Sequence, residues 1–283
     1  LVYLLCGVEN LTAVFVVQGV LSSLVVPLMY VVASRTWNER TGLAAATASA
    51  VYPDFLFYNT AVHAESLVVL CVVAMMAVAV SRFGDARKAC AQGALLGGAV
   101  LLETGLVFLL PGLIVTVRRR LLFLGACLVI LAPWIVESSV ASRTFAPVRC
   151  IDVAAHGSIV RYYEASGSVY RVLDGMYVNA ISLYNWHPES PVIKSAGGLT
   201  KLNGVYFLRK YSYLVLLFLG TFAGARYFRR EHLAVALPAF LCAVALVLLS
   251  IRSEGRFRML LEPLLILYLS VMVADRRGES RPS

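Results

Sequence analysis

Charge is what this sequence has least of. Only 14% of its 283 residues are charged, 60% are hydrophobic, and the mean hydropathy is +0.79. A soluble domain carries about a quarter charged residues, so the composition excludes an ordinary soluble fold and points to a polytopic membrane protein. Cysteine chemistry is missing as well. Six cysteines are present but no CxxC pair, so neither a zinc site nor a disulfide framework is indicated. Cys6, Cys71, Cys90, Cys127 and Cys242 lie in or beside apolar runs and read as small packing residues. There is no Walker loop, no GxSxG and no HExxH, which leaves ATP-driven and hydrolase readings without support. No basic region precedes an apolar core at Leu1, so no signal peptide is expected. The first residue is not Met, and the chain is expected to be cut at its N-terminus or numbered from an internal point.

What is present is apolar runs punctuated by basic clusters. The net charge of +9 would suit nucleic acid if it were concentrated. The arginines instead sit in short groups between apolar runs, as expected of cytoplasmic loops, and no nucleic-acid partner is expected. Residues 11–33, 41–58, 64–80, 121–137, 211–228, 233–251 and 259–274 read as spans, judged against ~20 apolar residues for a ~30 Å core. Residues 89–117 are long for one helix and short for two, and both flanks, Arg82–Lys88 and Arg118–Arg120, are basic. The segment is expected to go in and come back as a hairpin, with Glu103 at its outer tip. Broken backbone at such depth is tolerated where protein or a cavity surrounds it.

On this path the inner segments hold Arg35, Arg40, Arg82, Arg87, Lys88, Arg118–Arg120, Arg226, Arg229, Arg230, Arg276, Arg277 and Arg281, so the whole excess of +9 falls on one face. The fold class expected is all-α: a polytopic bundle of about seven to nine membrane segments with a cytoplasmic C-terminus. Residues 1–137 form the first helices, 138–210 an extracytoplasmic loop region with short helices, and 211–283 the last helices and tail. Gly93–Gly97 and Gly220–Gly224 are GxxxG spacings, assigned to helix packing.

The stretch 51–67, from Val51 to Leu67, places Asp54, His63 and Glu65 where two apolar segments leave the membrane. Ionisable groups at that depth mark a functional site by default; the plainer alternative is a polar turn lying among headgroups. Glu103 and Glu137 reach the same outer mouth, as do Arg252, Glu254, Arg256 and Arg258. Arginine grips phosphate oxygens through its planar fork, and carboxylates accept sugar hydroxyls, hold a divalent metal or act as base. The arginines suit snorkelling equally well, and the spacings Glu254–Arg258 and Arg258–Glu262 suit helix pairing.

Several short motifs follow one another in order. They are the helix ending Ala50-Val51-Tyr52-Pro53, the turn leading to Ala64-Glu65-Ser66-Leu67, and the segment Gly93-Ala94-Leu95-Leu96-Gly97. Ala132-Pro133-Trp134-Ile135 and then Glu254-Gly255-Arg256-Phe257-Arg258 with Glu262-Pro263-Leu264 complete the series. Taken together they resemble the GT-C membrane glycosyltransferases of the protein O-mannosyltransferase and aminoarabinose-transferase type, and the resemblance covers most of the chain. It implies transfer of a sugar from a polyprenyl-phosphate donor to a glycan, lipid or protein acceptor on the outer or lumenal face.

By the same resemblance His63-Ala64-Glu65 falls at the family's second acidic motif, and Arg256 and Arg258 fall near the carrier phosphate. A divalent cation is an optional cofactor, and no other is implied. The chain departs from the family pattern at Glu103-Thr104, where relatives often have Arg-Pro, and at Glu137-Ser138, where they often have Arg-Asn. By the resemblance, the loop carrying the family's catalytic aspartate is expected before the helix that ends near Gly7, outside this sequence. Asp54 and Glu65 are therefore the candidate catalytic acids, with His63, Glu65, Glu103, Arg252, Arg256 and Arg258 as candidate substrate ligands. A transporter or flippase of a lipid-linked or anionic substrate, or a non-catalytic membrane partner in glycan assembly, is the alternative expectation.

Overall fold

A computed structural model describes residues 11–57, 64–142, 199–229, 232, 236–238 and 261–275, and is all-helical, with no strand among the described residues. Helix α1 (Leu11–Ser23) continues almost directly into α2 (Val25–Thr36). The interruption at Leu24 has a local cause: Pro27 has no N–H to offer the Ser23 carbonyl. At Trp37-Asn38 the chain turns back into α3 (Glu39–Val51). The Asn38 side chain caps this helix, accepting from the Thr41 N–H at 2.9 Å and from its hydroxyl at 3.1 Å. Gly42 lets α3 lie close on α2, since a Cβ there would stand 2.9 Å from Ser34 Cβ.

Proline also sets the far end of α3. Tyr52 takes an extended conformation, as a residue before proline favours, and Pro53 restarts the chain as the first residue of the short helix α4 (Pro53–Phe57). Helix α5 (Glu65–Ala79) buries Val68, Val69, Val72, Val73, Met75 and Met76, and so sits within the bundle. Helix α6 (Asp85–Leu102) runs antiparallel to it: Lys88 Nζ donates to the Ala79 carbonyl at 3.1 Å and Gln92 Nε2 to the Met75 carbonyl at 3.4 Å.

The segment expected as a hairpin is one. Glu103 is extended (φ −148°, ψ 108°), and the chain returns through a 3-10 helix (Thr104–Leu109) and α7 (Leu110–Thr116). The outward helix is ~27 Å long, and the return covers roughly 22 Å at ~2.0 and ~1.5 Å per residue. It brings Arg118 Nη1 within 3.4 Å of Asp85 Oδ2, so the two basic flanks share one end of the bundle.

Helix α8 (Arg120–Ser142) then runs parallel to α6, with a Gly93 Cβ meeting the Phe123 carbonyl at 2.1 Å and a Gly97 Cβ the Cys127 carbonyl at 2.9 Å. Helices α9 (Leu199–Tyr227) and α10 (Glu262–Asp275) are also parallel. Gly220 packs on Leu265, Gly224 on Tyr268, and the Tyr227 hydroxyl donates to Asp275. Both GxxxG spacings thus sit at helix–helix contacts, as expected of packing motifs.

Among the described residues two stretches, Thr12–Thr36 with 25 residues and Arg120–Val140 with 21, are long and apolar enough to cross a membrane. Glu65–Ala79 and Leu106–Thr116 are apolar but shorter. Of the segment expected to span over 233–251, only 236–238 lies among the described residues. The region expected as loop over 138–210 is helical at both edges: α8 continues to Ser142 and α9 begins at Leu199.

Candidate functional site

Helix direction sorts the charged residues to two ends. Trp37 marks one end, where its ring packs on His232 (4.7 Å between centroids) and on Tyr268 (5.8 Å). His232 Nδ1 accepts the Arg229 N–H at 3.2 Å and faces the Tyr268 hydroxyl at 3.3 Å. Arg35 in the last turn of α2 and Arg226 in the last turn of α9 belong to this end. Asp85, which precedes Arg87 and Lys88 at the start of α6, and Arg118 lie at the same end, held together by their ion pair.

The opposite end carries the acids. Asp54 is in the first turn of α4 and fully buried. The Tyr52 hydroxyl donates to its Oδ2 at 3.4 Å, and Tyr52 in turn packs edge-on against Phe55 at 5.1 Å. Glu65 opens α5 and is half-buried. Its position in the first turn suits the helix dipole, which favours negative charge at an N-terminus. Glu103 sits at the tip of the α6 hairpin, also half-buried, its N–H bonded to the Ala99 carbonyl at 2.9 Å. Asp54, Glu65 and Glu103 thus share an end, on different elements. His63, Arg252, Arg256 and Arg258 lie outside the described residues.

One acid escaped the sequence-level reading of the site. Glu262, the first residue of α10, is fully buried. It lies at the end of α10 away from Asp275, hence toward the Asp54 end of the bundle. In the sequence it registers as a helix-pairing partner for Arg258; the signal that could have found it is an acid placed directly before Pro263 at the start of an apolar helix. Among the described residues no group of three His, Cys, Asp or Glu side chains is arranged to hold a metal ion.

A hollow of about 800 Å³ follows Val115–Leu122 around Arg118–Arg120. It is lined by one continuous stretch at the basic end, so it is an open turn and no part of the acidic site. Chemically, a buried carboxylate with a tyrosine hydroxyl beside it can accept a proton or a hydroxyl hydrogen bond, and Glu65 and Glu103 add two more acceptors at the same end. Comparison with family models, curated proteins and solved structures finds no match for this chain.

Proposed function

We propose that this protein is a polytopic membrane glycosyltransferase that moves a sugar from a polyprenyl-phosphate donor to an acceptor hydroxyl at its acidic end. The observation that carries the reading is Asp54, a fully buried carboxylate at the turn where α3 gives way to α4. Burying a carboxylate in an apolar bundle is costly, and a fold that only needed a turn there has no use for one. Glu65 opening the next helix and Glu103 at the hairpin tip reinforce it. In this reading a carboxylate at this end takes the acceptor proton as the hydroxyl attacks the sugar's anomeric carbon. The sugar–phosphate bond breaks, and Arg256 and Arg258 hold the departing phosphate. No step requires a metal, although a divalent cation is compatible with it.

Placement in a multi-pass membrane protein belongs to the same proposal. It is supported by the two membrane-length helices and by apolar side chains left on their surface: Leu121 is 86% exposed, Val129 71% and Val20 61%. The gathering of basic groups at the Trp37 end supports a cytoplasmic position for that end. The acidic end then faces outside or into a lumen.

The test is sugar transfer by the full chain in lipid nanodiscs, using labelled polyprenyl-phosphate sugars and a panel of lipid, peptide and glycan acceptors. Transfer that falls at least about 100-fold in Asp54→Asn or Glu65→Gln is the expected result, within the range for loss of a general base. Two observations favour a second reading. The broken α6–α7 hairpin and the buried Glu262 are features that suit a transporter or flippase. Labelled substrate crossing sealed vesicles, with no sugar transferred to any acceptor, would decide for it.

A further inference from the structure

A cavity of about 200 Å³ lies between α1, α2, α3, α4 and α5. Its floor is polar but carries no charge. Ser22, Ser49 and Ser66, one from each of three helices, are 9%, 2% and 3% exposed and contribute hydroxyls to it. Ser22 spends its proton on the Gln18 carbonyl at 2.8 Å and keeps its oxygen as an acceptor. The hydroxyls of Ser49 and Ser66 have no hydrogen-bond partner among the described residues. Leaving a hydroxyl buried and unpaired costs about 1–3 kcal/mol, and two opening on one cavity describe a site awaiting a hydrogen-bonding occupant. The mouth is different in character: exposed Ser23, Ala50 and Leu56 form it, and Val20, Leu24 and Val51 are exposed beside it.

We infer that this cavity is a binding site for a neutral, membrane-borne alcohol, whose hydroxyl enters among Ser22, Ser49 and Ser66 while its hydrocarbon body leaves past Leu56. Among the described residues the lining contains no Lys, Arg, Asp or Glu, so a phosphate or carboxylate head would be buried there without a counter-charge, at a cost several-fold above that of a hydroxyl. A hydroxyl suits the floor because it both donates and accepts. Water alone would fill the volume with roughly six molecules, but water gains nothing from the apolar mouth. The inference concerns binding and stands apart from sugar transfer; it holds for a transporter equally.

The experiment uses the full chain in phosphatidylcholine nanodiscs with a long-chain fatty alcohol carrying a diazirine near its hydroxyl end, followed by mapping of the labelled peptides. Labelling is expected within residues 19–26, 49–56 and 66–69. Dioleoylglycerol should compete for it, whereas the probe's methyl ether and its phosphate monoester should compete at least about tenfold less well. Ser49→Ala and Ser66→Ala should each weaken labelling about fivefold, the worth of one hydrogen bond. Each should also leave thermal stability without ligand unchanged or raised, because an unpaired buried hydroxyl is removed. Labelling spread over all exposed helices, equal competition by the ether, or a marked drop in stability in both variants would overturn the inference. The last of these would mean that the hydroxyls are already partnered within the protein.

Discussion

Two glycines five residues apart in α6, Gly93 and Gly98, should respond to the same substitution with opposite sign. A Cβ at Gly93 would stand 2.1 Å from the Phe123 carbonyl oxygen, roughly 1 Å inside the 3.0 Å that real Cβ atoms respect. The obstacle is backbone, so no side-chain rotation relieves it, and α6 must move away from α8 along the whole of their contact. Overpacking of this kind costs about 1–3 kcal/mol. The upper part of that range applies here, because a helix shifts as a unit and its neighbours Leu96 and Phe123 are themselves fully buried. Alanine recovers up to ~1 kcal/mol of helix propensity over glycine, leaving Gly93→Ala destabilising by about 1–2 kcal/mol. At Gly98 a Cβ meets nothing within 4 Å, so Gly98→Ala retains the propensity gain and should stabilise by up to ~1 kcal/mol. At ~2–4 °C per kcal/mol, the two variants should differ in Tm by roughly 5–10 °C. Thermal unfolding of detergent-solubilised protein, followed by circular dichroism, measures this directly. Equal shifts of the same sign would refute the parallel α6–α8 contact.

Further outcomes follow from the same structure. Asn38→Ala removes the cap of α3 and should cost about 1 kcal/mol, read as a lower Tm; an unchanged Tm would mean the Thr41 N–H finds another acceptor. Arg118→Ala breaks an ion pair whose side chains are 83% and 48% exposed. Solvent screens such a pair, so stability should change by less than ~1 kcal/mol, and a larger loss would show that the hairpin depends on it. Single cysteines at Glu103 and at Arg119, in a background with the native cysteines replaced, should react with a membrane-impermeant maleimide from opposite sides of sealed vesicles. Labelling of both from one side would rule out the proposed orientation. Tyr52→Phe should lower stability by about 1 kcal/mol through loss of its bond to Asp54, and a Tm equal to wild type would show the carboxylate is held by other groups.

The all-helical class, the positions of the long apolar helices and the hairpin at Glu103 were legible from residue order. Apolar length, proline and basic flanks act locally, and a helix in an apolar medium satisfies its own backbone. Pro53 marks the end of α3 for the same local reason. The extent of α9 was not legible: residues 199–210 are polar enough to read as loop, and their helicity continues from the apolar segment that follows. The GxxxG spacing marked Gly93 and Gly97 as packing positions, but only packing decided what each meets, the Phe123 and Cys127 carbonyls, and that Gly98 meets nothing within 4 Å. The same holds for the polar groups. Asp54 and Glu65 announce themselves as acids beside apolar runs, but the depth of Asp54 and Glu262 depends on which helices cover them. Ser49 and Ser66 are two serines among many until α3 and α5 bring them to one cavity. Sequence thus sets which segments are helices and where they break, and tertiary structure sets which side chains meet, because burial is a property of neighbours far apart along the chain.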